Sequence, residues 1–234
     1  MRLITCCFDY HGKGDYGRLQ RVYRASCEAV MPEVRYEHHE LCPPKIKPGY
    51  STGMCSNTLK LRHWVRLVED ATETICLSDC DMLALRSVAD ADALDFDIAY
   101  TVRTNIGRIP FNGGVVFVRP TAEGKAVMRR WLKVNDDMFH NHVFHEMYRR
   151  KYAGMNQAAF GFMYEHPRDK CRMLGLPCAG WNACNEDWPN IPGNGARLVH
   201  LKGHLRRALL SDVHIRAVSP QVHYIVGEWR GYGL

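Results

Sequence analysis

Two carboxylates one residue apart, Asp79 and Asp81, follow almost directly on the apolar run Ile75-Cys76-Leu77. A short unbroken apolar run suits a strand buried on both faces, and residues i and i+2 of an extended chain point the same way, so both acids can reach one cation. In open α/β sheets ligands collect beyond the carboxyl ends of strands, which is where this pair falls. The chemistry on offer is a divalent cation held by acid. An Asp-Cys-Asp tripeptide also suits a solvated turn, so the pair needs support from elsewhere in the chain.

Three other groups of residues bear on that question. His200 lies near the end of the strand-like run Arg197-Leu-Val-His-Leu201, which leads into Lys202, Gly203 and His204 and then Arg206 and Arg207; a histidine at such a place is a core residue or a ligand. Phe111-Asn112-Gly113-Gly114 feeds the apolar run Val115 to Val118, and paired glycines there admit a ligand close to the backbone or make a bend. His140, His142 and His145 crowd one helix. Only the last two share a face, and no acid completes a zinc-hydrolase pattern, so they read as structural or surface residues.

The elements that must position these groups can be read in order. Leu3 to Phe8 is a first strand, followed by a polar loop from His11 to Gly17 whose glycines fit neither the P-loop nor the dinucleotide spacing. Asp15 would cap a helix with Leu19, Val22, Tyr23, Ser26, Cys27 and Val30 on one face, and Val34 to Leu41 would be the second strand. After a Pro- and Gly-containing connection from Cys42 to Gly53, a helix capped by Ser56 or Asn57 buries Leu61, Trp64, Val65 and Val68, with Lys60, Arg62 and Arg66 as a solvated face from which one or more could reach a phosphate. Ile98 to Val102 is a further strand. Two helices with stripes Val127, Trp131, Val134 and Phe139, Val143, Met147 follow, then a short helix capped by Asn156. From Pro167 onward only the run at 197–201 has a clear period.

The chain of 234 residues has 46% apolar and 24% charged residues, an ordinary globular composition. Its length allows one substantial domain, or at most two small ones, and it is read as one domain over 1–234. No stretch approaches the ~20 apolar residues of a membrane span, and the start is too short in apolar residues for a signal peptide, so a cytoplasmic protein is expected. The ten cysteines form no Cys-x-x-Cys pair and read as free thiols in a reducing compartment. A formal charge of +6 is compatible with a diphosphate ligand or an acidic acceptor and too small to establish nucleic-acid binding.

Taken in order, Asp79-Cys80-Asp81, Phe111 to Val118, Asn156-Gln157 and His200-Leu-Lys-Gly203 resemble the motifs of nucleotide-sugar glycosyltransferases of the GT-A fold, especially the glycogenin-like family. The resemblance covers Leu3 to Gly203. Asn156 stands where that family usually has Asp, and the late His-x-x-Gly-x-x-Lys segment is compressed. The resemblance implies an α/β fold, a single domain with a mixed, mostly parallel sheet flanked by helices, divided into a nucleotide-binding half at 1–105 and an acceptor-side half at 106–234. It further implies transfer of a sugar from a nucleotide-sugar donor, UDP-sugar being expected, with retention of configuration; inversion would need a base such as Glu186 or Asp187.

On that reading Asp79, Asp81 and His200 hold the metal, and an imidazole among the ligands favours Mn²⁺ over Mg²⁺. Lys202, with Arg206 as second choice, meets the diphosphate; Asn112 and Gln157 meet sugar hydroxyls. Phe8, Asp9, Tyr10, Gly113, Gly114 and Gly203 line the donor site. The acceptor is open: glycan, protein, lipid or modified nucleic acid. Two competing readings remain, a sugar-phosphate nucleotidyltransferase and a nucleic-acid-binding module built on Lys60, Arg62, Arg66, Lys202, Arg206 and Arg207.

Overall fold

The computed structural model describes residues 1–8, 16–103, 110–168, 170–211 and 222–232. The expectations placed on Asp9, Tyr10, the glycine loop and the Asp15 cap lie outside the described residues.

The chain opens β-α-β, with β1 (Arg2–Phe8), α1 (Tyr16–Val30) and β2 (Arg35–Leu41), then continues through α2 (Thr52–Glu69), β3 (Ile75–Ser78) and the short β4 (Met82–Ala84). β5 (Ile98–Val102) and β6 (Phe111–Val118) follow, then α3 (Ala122–His140), α4 (His142–Tyr152) and α5 (Asn156–Glu165). The last part holds β7 (Met173–Pro177), the single turn α6 (Cys178–Trp181), β8 (Leu198–His200), α7 (Gly203–Leu209) and α8 (His223–Tyr232).

Six strands form one sheet in the order β2-β1-β3-β6-β5-β7, and β4 pairs with β8 in a second, two-stranded sheet. β1 runs parallel to both β2 and β3, and β5 is parallel to β7, while β6 is antiparallel to β3 and β5. This is the expected mixed, mostly parallel α/β sheet. Side-chain alternation splits the core between its faces. Ile4, Ile75, Leu77 and Val116 pack under α2, α3 and α5, whereas Leu3, Cys76, Val115 and Phe117 pack towards α1, β4, β8 and α6. A third cluster joins α1 to α7 and α8 through Leu19, Val22, Leu205, Ile225 and Trp229.

Three sequence expectations need correction, and one strand was not expected. α2 begins at Thr52, because Ser51 extends and its hydroxyl accepts from the Met54 N–H at 3.3 Å; Ser56 and Asn57 already lie inside the helix. Phe139 belongs to α3, and Val143 and Met147 are exposed. The chain breaks at Asn141, which closes α3 and caps α4 through its side chain, so the helical phase restarts and α4 buries His145 and Tyr152 instead. Asn156 is the first helical residue of α5 rather than its cap, and its Oδ1 accepts from the Gln157 N–H at 2.9 Å. β7, which the sequence pattern did not reveal, is an edge strand of only five residues containing Gly175 and Pro177.

No helix among the described residues is long and apolar enough to cross a membrane. Ten free cysteines are found, eight of them buried.

Candidate active site

The Asp79-Cys80-Asp81 loop is the step by which the chain leaves the large sheet and enters the small one. Its ends are pinned from both sides: the Asp79 N–H donates to the Gly114 carbonyl at 2.9 Å, and the Leu201 N–H donates to the Asp81 carbonyl at 2.8 Å. Met82 pairs with His200 across the β4–β8 ladder. That register carries His200 to the acids although it lies far from both of them in sequence. The ligand atoms of Asp79, Asp81 and His200 lie within 4.8 Å of one another.

Each carboxylate is used on two sides. His200 Nε2 is 3.6 Å from Asp79 Oδ2 and 3.4 Å from Asp81 Oδ1. The outer oxygens meet cations: Lys60 Nζ pairs with Asp79 Oδ1, and Arg206 Nη1 donates to Asp81 Oδ2 at 2.7 Å. Burial works to raise the Asp81 carboxyl, but His200, Arg206 and Lys202 prevail and hold it well below the usual range. Burial likewise disfavours the Lys60 ammonium, and Asp79 more than offsets it, so Lys60 stays charged. Lys60 was expected on a solvated face; it is buried and lies 4.5 Å above the Trp64 ring. Its i, i+4 spacing to Trp64, a member of the buried stripe, was the signal that places it inward.

A relay fixes the histidine. Thr101 Oγ1 donates to the Asn112 carbonyl at 2.7 Å and accepts from Asn182 Nδ2 at 2.9 Å, which turns Asn182 Oδ1 towards His200 Nδ1 at 3.2 Å. Nδ1 therefore carries a proton, and Nε2 is the ring atom turned towards the two carboxylates. Two carboxylate oxygens and an imidazole nitrogen facing one point form a ligand set for a cation. Asn182 and Thr101 escaped sequence reasoning because nothing in their spacing marks them.

Gly114 makes room for the ring: a Cβ there would stand 2.6 Å from His200 Cε1 and Nδ1. Of the two readings of the glycine pair, close approach holds for Gly114, and what approaches is His200. The Gly113 N–H donates to Gln157 Oε1 at 3.2 Å, and Gln157 Nε2 donates to the Phe111 and Tyr152 carbonyls at 3.2 and 3.0 Å. Gln157 thus ties β6 to α5 through its own polar atoms. Asn112 is similarly engaged, donating to Cys184 Sγ and accepting from the Gly114 N–H at 3.1 Å. Lys202 Nζ lies 3.8 Å from the same sulfur, and Gly203, at φ +53°, starts α7 in the open. Glu186 meets Arg103 at 3.3 Å, and Asp187 Oδ2 accepts the Cys184 N–H at 2.9 Å.

Beside the acids opens a cavity of about 710 Å³, large enough for a nucleotide. Cys6, Cys7 and Phe8 at the end of β1, Tyr16, Pro43 and Pro44, the first turns of α2, Lys60 and the acidic loop line it.

No protein-family model matches the sequence, and no curated protein matches it. Solved structures do. A glycosyltransferase involved in glycosylation of the major capsid of PBCV-1 superposes with a TM-score of 0.60 at 15% identity, over 92% of this chain and 98% of that one. The galactosyltransferase LgtC, in complex with donor and acceptor sugar analogues, gives a TM-score of 0.60 at 13% identity over 99% and 100%. The glycosyltransferase GlyE of Streptococcus pneumoniae TIGR4 gives 0.54 at 13% identity, over 98% of this chain and 63% of that one. Identities this low carry the architecture and leave the chemistry to the residues. The chain has the GT-A glycosyltransferase fold that its motifs resemble.

Proposed function

We propose that the protein is a metal-dependent glycosyltransferase that takes a sugar from a nucleoside-diphosphate sugar, with UDP-sugar the expected donor, and passes it to an acceptor hydroxyl with retention. The observation that carries this reading is the convergence of Asp79 Oδ2, Asp81 Oδ1 and His200 Nε2 on one point. Their separations suit a cation that takes oxygen and nitrogen ligands at ~2.0–2.3 Å, and the mixed donor set favours Mn²⁺. A divalent ion there supplies Lewis-acid stabilisation to a departing diphosphate.

The chain's own residues do the rest. The cavity beside β1 and α2 receives the nucleoside, between Phe8, Tyr16 and Asn57. Lys60, Lys202 and Arg206 place fixed positive charge around the acids, where a diphosphate's negative charge grows as the glycosidic bond breaks. Retention agrees with the engagement of Glu186 by Arg103 and of Asp187 by the Cys184 backbone, which leaves neither acid poised as a base for inversion.

The nucleic-acid reading loses part of its basic set. Lys60 and Arg206 are committed to the acids, and Arg62 pairs with Asp136 at 2.8 Å. A donor screen tests the proposal: the protein is incubated with a panel of sugar nucleotides and Mn²⁺, and release of nucleoside diphosphate is scored. Slow, Mn²⁺-dependent hydrolysis of one donor, lost in Asp81→Ala, is expected. Turnover of a sugar phosphate with free nucleoside triphosphate, releasing pyrophosphate, would instead make it a nucleotidyltransferase.

A further inference from the structure

Just past the β1–β3 ladder, which ends at the Thr5–Ser78 pair, two thiols meet, Cys7 of β1 and Cys80 of the acidic loop. A disulfide spans Cα separations of ~4.4–6.8 Å, a range that includes the spacing of about 4.8 Å between neighbouring strands. The two side chains already share a hydrogen bond. On its other flank Cys7 Sγ lies 3.4 Å from His38 Nε2, and His38 Nδ1 lies 2.8 Å from Thr5 Oγ1, which is itself 3.1 Å from the Tyr36 hydroxyl. This is a thiol with an oriented base and a second thiol in reach.

Neither sulfur is sealed in. Cys7 is 8% and Cys80 6% exposed, and both line the 710 Å³ cavity, so small polar reagents reach them by the route a donor would take. Cys178 and Cys184 make a second contacting pair, yet both are closed off from solvent. Cys80 is also the residue between the two acids. A bond at its sulfur pulls on the peptide units that aim Asp79 and Asp81.

We propose that Cys7 and Cys80 form an oxidisable dithiol which hydroperoxides convert to a disulfide, tying β1 to the acidic loop and loosening the metal site. His38 Nε2 accepts the Cys7 proton, and the Cys7 sulfur attacks one peroxide oxygen. The O–O bond breaks, the other oxygen leaves as water or alcohol with that proton, and Cys7 becomes a sulfenic acid. The Cys80 sulfur then attacks the Cys7 sulfur; the S–O bond breaks and the hydroxyl departs as water with the Cys80 proton. Two electrons pass from the thiols to the peroxide, giving one disulfide and, from hydrogen peroxide, two waters. Loss of metal affinity rests on the proposed metal site; formation of the disulfide does not.

The test uses the full reduced chain. It is treated with stoichiometric hydrogen peroxide, remaining thiols are alkylated, and peptides are mapped by mass spectrometry. A Cys7–Cys80 linked peptide is expected, reversed by dithiothreitol, absent in Cys7→Ser and Cys80→Ser and kept when the exposed Cys42 is replaced by Ser. UDP with Mn²⁺ should slow its formation by filling the cavity. Should either variant fail to fold, the wild-type map decides alone: Cys7 driven to sulfinic acid without a link, links made only through Cys42, or both thiols left unreacted would each overturn the proposal. Mn²⁺ titration of the oxidised protein should show affinity weakened about tenfold or more, the size of effect seen when the supports of metal ligands are disturbed. Unchanged Mn²⁺ affinity in the linked protein would overturn the coupling to the acids, and absence of Mn²⁺ binding in the reduced protein would instead overturn the metal-site reading.

Discussion

His200 binds a metal through Nε2 only if Nδ1 holds the ring proton, and two neutral side chains see to that. The Thr101–Asn182 relay hands a carbonyl oxygen to Nδ1 and leaves Nε2 turned towards the acids. Asn182→Leu keeps the branching at Cγ and removes that acceptor, so Mn²⁺ affinity should fall about tenfold while the circular dichroism spectrum is unchanged; an undiminished affinity would deny Asn182 its orienting role. Lys60 carries a different load. Its ammonium is buried against Asp79, which is itself a quarter exposed. Lys60→Met should therefore lower stability by about 1–3 kcal/mol, less than a fully buried broken pair costs, read from urea denaturation. At this scale the acids and His200 were legible because they punctuate apolar runs. Lys60 was misread as solvated because its charge was weighed above its place beside the Trp64 stripe, and Asn182 lies in a stretch with no period to read.

Elements enter the site through register and phase. β6 brings Gly114 against the imidazole, and the absent side chain there is what lets the ring lie on the strand. Gly114→Ala should displace His200, cutting Mn²⁺ affinity at least tenfold and lowering the melting temperature by a few degrees, since overpacking costs about 1–3 kcal/mol. The sequence revealed the strands buried on both faces, β1, β3, β5 and β6, because continuous apolar runs leave little choice. It misplaced α2's start and α4's face, where a single residue, Ser51 or Asn141, decides by capping. Edge strand β7 stayed hidden: five residues with a glycine and a proline have no alternation to show.

Across the whole molecule, one charged node fastens the β5–β7 edge to α3. Asp97, buried just before β5, accepts from Arg172 Nη2 and from the Thr121 hydroxyl, both at 2.9 Å, and from the Arg172 backbone N–H at the same distance. The Arg172 guanidinium chiefly holds its carboxyl down at about 2, against the opposing effect of burial. A depressed folded-state value means stability that is present above the unfolded value near 4 and lost as pH falls from there towards 2. Asp97→Asn should lower the melting temperature at pH 7 and flatten the acid side of the stability curve, with wild type and variant converging near pH 2. Equal losses at both pH values would place the effect in packing instead of charge.

At the same scale, the fold brings β3, β4 and β8 together so that Asp79, Asp81 and His200 share one point, and everything proposed about function depends on their doing so to bind a metal. Titration of Mn²⁺ followed by the loss of its free-ion electron paramagnetic resonance signal, with UDP present, tests this most directly. The account predicts one tight site per chain in the wild type and a loss of at least tenfold in affinity in His200→Ala, with the fold retained. No binding by the wild type, or binding that His200→Ala leaves intact, would contradict it.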